Sequence, residues 1–180
     1  MIDADLAGVI GLDGHDGAGK TTLAPALAAA SGSAYVRPFS GAVGSALLDA
    51  ADRSDTAAVL EIGRDALTGA LAEHGRPLVL DRSWLTVASL LPVAEFAAGW
   101  STWIPTVLCW SALPVTLERL ATRDEQPESV AWHQHYLQRY LALSEHFGVP
   151  VLRTDGGSPE DCLALLRDRL LPAAGFNLAS

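Results

Sequence analysis

Short apolar runs alternate along the chain with longer stretches in which apolar positions recur every three or four residues. Residues 7–12, 34–37, 77–81, 105–110 and 149–153 are too short and too evenly apolar for helices and read as buried strands. Helical spacing covers residues 20–31, 42–51, 55–74, 83–98, 114–123, 129–147 and 158–171. Gly32 lies just past the first helix, and Pro38 stops the second strand. No repeat, low-complexity tract or linker interrupts the series. Buried strands alternating with helices predict an α/β fold, a five-stranded parallel sheet with helices on both faces. In such sheets ligands bind beyond the C-terminal ends of the strands. Those ends are Asp13, Arg37, Asp81, Trp110 and Arg153, so the predicted crevice is charged.

Composition narrows this reading. A length of 180 residues suits one compact domain spanning residues 1–180. With 49% apolar and 18% charged residues, the chain can bury a full core. A net charge of −9 argues against a protein that coats nucleic acid, so no nucleic-acid partner is expected. Cys109 and Cys162 both lie in apolar stretches and read as buried thiols, not as a disulfide or a zinc site. The opening residues 1–5 are acidic, unlike a signal peptide, and every apolar stretch is broken well before 18 residues. The expectation is a soluble cytoplasmic protein without a membrane partner.

The cations carry more information than the totals. Eleven of the twelve are arginines, and the only lysine is Lys20. A compact ammonium on a flexible stem differs chemically from a planar fork, so this position has its own demand. Lys20 stands inside GHDGAGKT, residues 14–21, which fits G-x-x-x-x-G-K-[ST] at every fixed position. A strand enters the motif and a helix leaves it, the context this phosphate-binding loop requires. Gly14, Gly17 and Gly19, with Asp16 and Ala18 between them, let backbone N–H groups curl around phosphate oxygens. The helix that starts near Lys20 turns its positive dipole end to the same anion, and Thr22 follows in its first turn. Lys20 reaches the β and γ phosphates, and the Thr21 hydroxyl is a ligand for Mg²⁺. Binding of a nucleoside triphosphate such as ATP follows.

Further residues select among phosphate-loop proteins. No lysine follows Lys20, so the N-K-x-D base-reading motif of GTPases cannot exist. Asp81-Arg82-Ser83 at the end of a strand sets a carboxylate able to orient the metal beside a phosphate clamp, which suits a small-molecule kinase more than a motor. Arg119 and Arg123 are four apart on one helix face, where like charges repel. A transferring phosphoryl group would repay that repulsion; a solvated face beside Glu118, Asp124 and Glu125 is the alternative. The polar, proline-containing stretch that follows predicts a short lid around residues 119–130.

Together these residues resemble the thymidylate kinase family of nucleoside monophosphate kinases. Residues 13–22, DGHDGAGKTT, are similar to the family's E-G-x-D-G-x-G-K-T-T, with Asp13 for the Glu. Arg37-Pro38 with Gly41 and Gly44 resembles R-E-P-G-G without the Glu, and Asp81-Arg82-Ser83 resembles D-R-Y. Arg64 stands where the family has an Asp-Arg pair, Arg119 and Arg123 match its lid arginines, and Asp155-Gly156 its late D-G. Trp132 and Tyr140 stand where its long helix has an aromatic residue and a tyrosine. The resemblance implies a three-layer α/β/α P-loop kinase fold, ATP with Mg²⁺, and a homodimer. For the last, the apolar helical faces in residues 42–74 and 83–98 offer a surface.

It also implies roles. Lys20, Asp81, Arg82, Arg119 and Arg123 would be catalytic, with Thr21 and Asp81 on the metal. Asp13, Asp16, Arg37 and Arg64 would place the acceptor. The family's stacking Phe aligns with Leu60 and its Tyr-Gln pair with Leu90-Leu91, so thymidylate is not the expected acceptor. Trp84, three residues past Asp81, is the expected contact for an acceptor ring, and the other tryptophans read as packing. His15 reads equally as a surface residue or a phosphate or acceptor contact, while His133 and His135 read as surface. Two rivals stay open: a kinase acting on a hydroxyl, with Asp13 or Asp16 as base, and a non-catalytic nucleotide-binding regulator.

Overall fold

A computed structural model describes residues 6–122 and 128–171. Five strands, β1 (Val9–Asp13), β2 (Ala34–Val36), β3 (Leu78–Asp81), β4 (Thr106–Trp110) and β5 (Val151–Arg153), form one parallel sheet in the order β2-β3-β1-β4-β5. The helices among the described residues are α1 (Lys20–Ser31), α2 (Ala42–Asp52), α3 (Thr56–Glu73), α4 (Trp84–Ser89), α5 (Val93–Gly99), α6 (Leu113–Ala121), α7 (Val130–Phe147) and α8 (Pro159–Leu165), the last running on into a π-helical turn, Leu166–Leu170. Each predicted strand is present, trimmed by one or two residues, except that β1 runs one residue further, to Asp13.

Local chemistry sets the boundaries. Asp55, Ser129 and Ser158 each accept a backbone N–H in the first turn of α3, α7 and α8. Gly32 and Gly148 close α1 and α7 in the left-handed conformation. The helix predicted over residues 83–98 is two helices, because Pro92 cannot donate a backbone hydrogen bond and disfavours helical backbone at Leu91. All six residues of α4 are buried. Its apolar side chains therefore belong to the core of this chain and leave no face for a second copy.

Period-two alternation on the strands divides the core into two layers. Val9, Leu78, Leu80 and Leu108 face a layer built with α2, α3, α4, α5 and α7. Ile10, Leu12, Val79, Val107 and Cys109 face a second layer built with α1 and α8. Both cysteines are free and buried, and burial pushes the Cys109 thiol up to about 12. No helix among the described residues is long and apolar enough to cross a membrane. β1 has β3 on one side and β4 on the other, so the loop leaving it emerges at the switch point of the sheet.

Candidate active site

β1 ends on Asp13, which is fully buried. One carboxylate oxygen accepts from the Ser83 N–H (2.8 Å), the Ser83 hydroxyl (3.2 Å) and the Thr86 N–H (3.0 Å). The other accepts from the Gly14 N–H (3.0 Å) and the Thr86 hydroxyl (2.6 Å). This carboxylate pins the start of the phosphate loop to the start of α4. At Gly14, φ is +136° and a Cβ would run into the Cys109 carbonyl, so no other residue fits. Gly17 and Gly19 also hold left-handed backbone, at φ +77° and +83°. No side chain caps the N-terminus of α1, which leaves its first amides to an anion.

Lys20 opens α1 and is buried. Its ammonium donates to the His15 carbonyl at 2.7 Å, folding back over the loop. Burial and the nearby Arg82 push the Lys20 pKa down to about 8, against the pull of Asp16, Asp81 and Asp13. An incoming phosphate would supply the negative charge this ammonium lacks.

Two clefts flank the loop. The first, about 310 Å³, is lined by Gly17, Gly19, Thr22, Arg119, Thr154 and Gly157. Arg119 reaches over the loop from α6 and donates to the Gly17 carbonyl (3.1 Å), the Thr154 hydroxyl (3.1 Å) and the Thr154 carbonyl (2.7 Å). The second, about 290 Å³, is lined by His15, Asp16, Arg37, Phe39, Arg82 and Tyr136, among others.

Charged groups join the two. Arg82, just past β3, has φ +81°, a left-handed backbone that costs a non-glycine residue about 1–2 kcal/mol. Its N–H donates to the Leu12 carbonyl at 2.9 Å. Its guanidinium donates to the Gly14 carbonyl (3.3 Å) and the Thr86 hydroxyl (3.4 Å) and pairs with Asp16. Strain held in place by this many contacts is typical of functional positions. Asp81 accepts from the Tyr35 hydroxyl at 3.0 Å and lies 3.7 Å from Arg37 Nε.

The fold matches known structures. Neither a family model nor a curated protein matches the sequence. Thymidylate kinase from Candida albicans superposes with a TM-score of 0.70 at 12% identity, over 97% of this chain and 95% of that one. Deoxyadenosine kinase from M. mycoides with bound dCTP gives 0.60 at 11% identity, over 91% and 99%. The YorR protein from Bacillus subtilis, in complex with phosphorylated GDP, gives 0.60 at 14%, over 87% and 91%. This is the P-loop nucleoside and nucleotide kinase fold.

Within that P-loop kinase fold, the expected residues sort unevenly. Lys20, Asp16, Arg37, Asp81 and Arg82 converge around the loop, with Arg119 across it. Arg123 lies outside the described residues, as does the expected lid from residue 123 to residue 127. Five expected acceptor contacts are absent from the second cleft. Trp84 is buried, its indole donating to the Ile104 carbonyl at 2.8 Å within a cluster of Phe96, Trp103 and Phe147. Leu60 and Leu91 are core residues of the same layer. Arg64 donates back to the Leu60 carbonyl of its own helix (3.2 Å). Asp13, used up as described, also lies outside the cleft lining. At the far edge of the sheet, Arg153 stacks on Trp110 (4.4 Å) and pairs with Asp155, outside both clefts.

The histidines correct the sequence reading. His15 and His133 are buried and joined by a 2.8 Å hydrogen bond between Nε2 and Nδ1. The His15 ring lies parallel to Tyr136, at 3° and 5.9 Å, and 5.2 Å from Trp132. Burial, with smaller contributions from His133, Lys20 and Arg82, pushes the His15 pKa down to about 4 against the pull of Asp16. Phe39, Tyr136 and Thr154 were not anticipated. Two signals pointed to them: Tyr136 lies one helical turn from Trp132, and Thr154 follows the end of β5.

Phosphates fit the loop, since no side chain caps the start of α1 and left-handed backbone at Gly17 and Gly19 lets loop N–H groups turn toward an anion. For Mg²⁺ the chain offers the exposed Thr21 and the carboxylate of Asp81. No group of three or more His, Cys, Asp or Glu among the described residues could hold a metal ion. A thin donor set of this kind suits magnesium, which keeps waters and takes its remaining ligands from substrate phosphates.

Proposed function

We propose that the chain is an ATP- and Mg²⁺-dependent phosphotransferase that carries the γ-phosphoryl group of ATP to a nucleoside monophosphate or a related small acceptor. One observation carries the reading: the phosphate loop separates two clefts of similar size, and arginines reach it from both sides. ATP occupies the Arg119 cleft with its phosphates in the loop, and the acceptor occupies the cleft of Arg37, Asp16 and Arg82. Thr21 and Asp81 would hold Mg²⁺, which when bound would neutralise charge on the transferring phosphates.

The residues of the chain then act mainly by position and charge. Lys20 holds the β and γ phosphates as a point charge. Arg119 stabilises negative charge from the ATP side and Arg82 from the acceptor side, and Arg123, in the lid expected around residues 119–130, joins them. Arg37 receives the acceptor phosphate while Asp81 fixes its guanidinium. A phosphate acceptor is already anionic and needs no strong base. A hydroxyl acceptor needs a carboxylate as base, either Asp13 or Asp16; Asp13 is sealed and saturated, and Asp16 is held by Arg82, which favours the phosphate.

The enzyme works as a single domain over residues 1–180 and as a homodimer in the cytoplasm. With α4 buried, the dimer contact falls to the apolar positions of residues 42–74, where Val43 of α2 is exposed. Sedimentation at micromolar concentration reads this directly, because a mass near 18.9 kDa would exclude the dimer. An ADP-release assay over nucleosides, nucleoside monophosphates and simple alcohols tests the function. Turnover is expected with monophosphates; turnover confined to alcohols, or with none of the panel, overturns it.

A further inference from the structure

Resting on the phosphotransferase reading above, we infer that the second cleft recognises the body of its acceptor by stacking and shape, with no hydrogen-bond reader for a base edge. The substrate class is a phosphate monoester on a flat apolar body, and the identity of a nucleobase hardly matters to it.

The lining supports this in three ways. First, the uncharged wall is apolar or aromatic: Phe39 follows β2, Leu47 and Leu48 come from α2, Leu90 ends α4, and Trp132 and Tyr136 lie on α7. The Trp132 and Tyr136 rings are 4.6 Å apart, and His15 adds a third ring parallel to Tyr136. Leu48 is 56% exposed, a large apolar side chain left in water unless something apolar covers it.

Second, the polar atoms on the buried part of the lining, from Thr86, Ser89, Tyr140 and His15, are already committed, which leaves only the single donors of Tyr136 and Trp132. The Thr86 hydroxyl gives its proton to Asp13 (2.6 Å) and that of Ser89 to the Thr86 carbonyl (2.7 Å). The Tyr140 hydroxyl lies between Thr86 (3.3 Å) and Ser89 (3.5 Å). His15 Nε2 is taken by His133. Third, no Asn or Gln lines the cleft among the described residues; Gln134 and Gln138 are exposed on α7. A base edge presents donors and acceptors side by side, and side-chain amides are the groups that match both at once. A site built on hydrogen bonds rejects an isostere that lacks them by orders of magnitude, whereas a stacking site does not, because every base has a π face.

The test uses the wild-type full chain and two acceptors of one shape. These are thymidine monophosphate and its difluorotoluene isostere, which has the same outline and almost no hydrogen-bonding edge. The deoxynucleoside monophosphates of adenine, guanine and cytosine complete the panel. Phosphoryl transfer gives kcat/KM, and calorimetry with a non-hydrolysable ATP analogue present gives Kd. The isostere should match thymidine monophosphate within about threefold in both, and the four natural bases should fall within about tenfold. Trp132→Ala should weaken binding of all five by tenfold or more, with their ranking kept. A hundredfold loss for the isostere, a hundredfold preference for one base, or no binding by any of them overturns the inference. Equal binding of the isostere and its parent without transfer to either leaves the inference standing and overturns the phosphotransferase reading instead.

Discussion

Asp13→Asn replaces a buried carboxylate that accepts from three backbone N–H groups and two hydroxyls. Asparagine has one acceptor oxygen, so its NH₂ must stand against donors. The least costly placement keeps the oxygen toward Ser83 and Thr86 N–H and turns the NH₂ toward Gly14. The Thr86 hydroxyl can then rotate to accept, but the Gly14 N–H is stranded. A buried donor left unpaired costs about 1–3 kcal/mol. The three bonds that remain lose their ionic character and roughly half their strength, about 2 kcal/mol more in total. A loss near 4 kcal/mol corresponds to a fall in Tm of about 8–16 °C for a chain of this size. Calorimetric melting of wild type and variant reads it, and the acceptor KM of the surviving enzyme should hardly change. A fall below about 3 °C together with a tenfold rise in acceptor KM would refute the reasoning and return Asp13 to the acceptor-binding role suggested by the sequence.

Lys20→Ala should nearly abolish transfer. Lys20→Arg should lose about a hundredfold or more in kcat, because a planar fork does not fit a buried slot shaped for an ammonium; near-normal turnover would refute this. Arg119→Ala should lower kcat by about a hundredfold or more with a small change in ATP affinity, read from steady-state kinetics beside direct ATP binding. ATP affinity should fall as pH rises above about 8, at most about tenfold per unit, because the free-enzyme Lys20 loses its proton there while bound phosphate holds it on; a flat titration to pH 9.5 contradicts this. His15 titrates near 4 when folded and near 6.5 when unfolded. The unfolded state therefore binds more protons between those values, and stability falls with decreasing pH at up to about 1.4 kcal/mol per unit. Denaturant melts of wild type and His15→Phe should diverge in slope across that window.

The strands were legible because each is a short apolar run between polar punctuation, and the sheet buries both faces of it. The phosphate loop was legible because its glycines are individually required: at Gly14 only a missing Cβ clears the Cys109 carbonyl. The acceptor side was read less well. A motif fixes where a residue stands along the chain, but not which way a fully buried helix turns it. α4 is buried on every side and its polar positions, Thr86 and Ser89, are too small to reveal which way it turns, so Trp84, and Leu91 just past its end, pass for cleft residues when they are core. The true cleft wall joins Phe39, α2 and α7, elements far apart in sequence, and no local pattern announces that meeting. The burial of His133 has no local signature because its partner, His15, lies 118 residues away. Pro92 was a visible helix stop, outweighed by the apolar run on both sides of it.

The most direct measurement follows the phosphoryl group itself. Enzyme in excess is mixed with ATP labelled at the γ position, Mg²⁺ and a nucleoside monophosphate, and the products are separated within one turnover. Label on the acceptor as a new diphosphate, lost in Lys20→Ala, is the predicted result. Label that stays on ATP, or appears only as inorganic phosphate across every acceptor while ATP remains bound, contradicts the account.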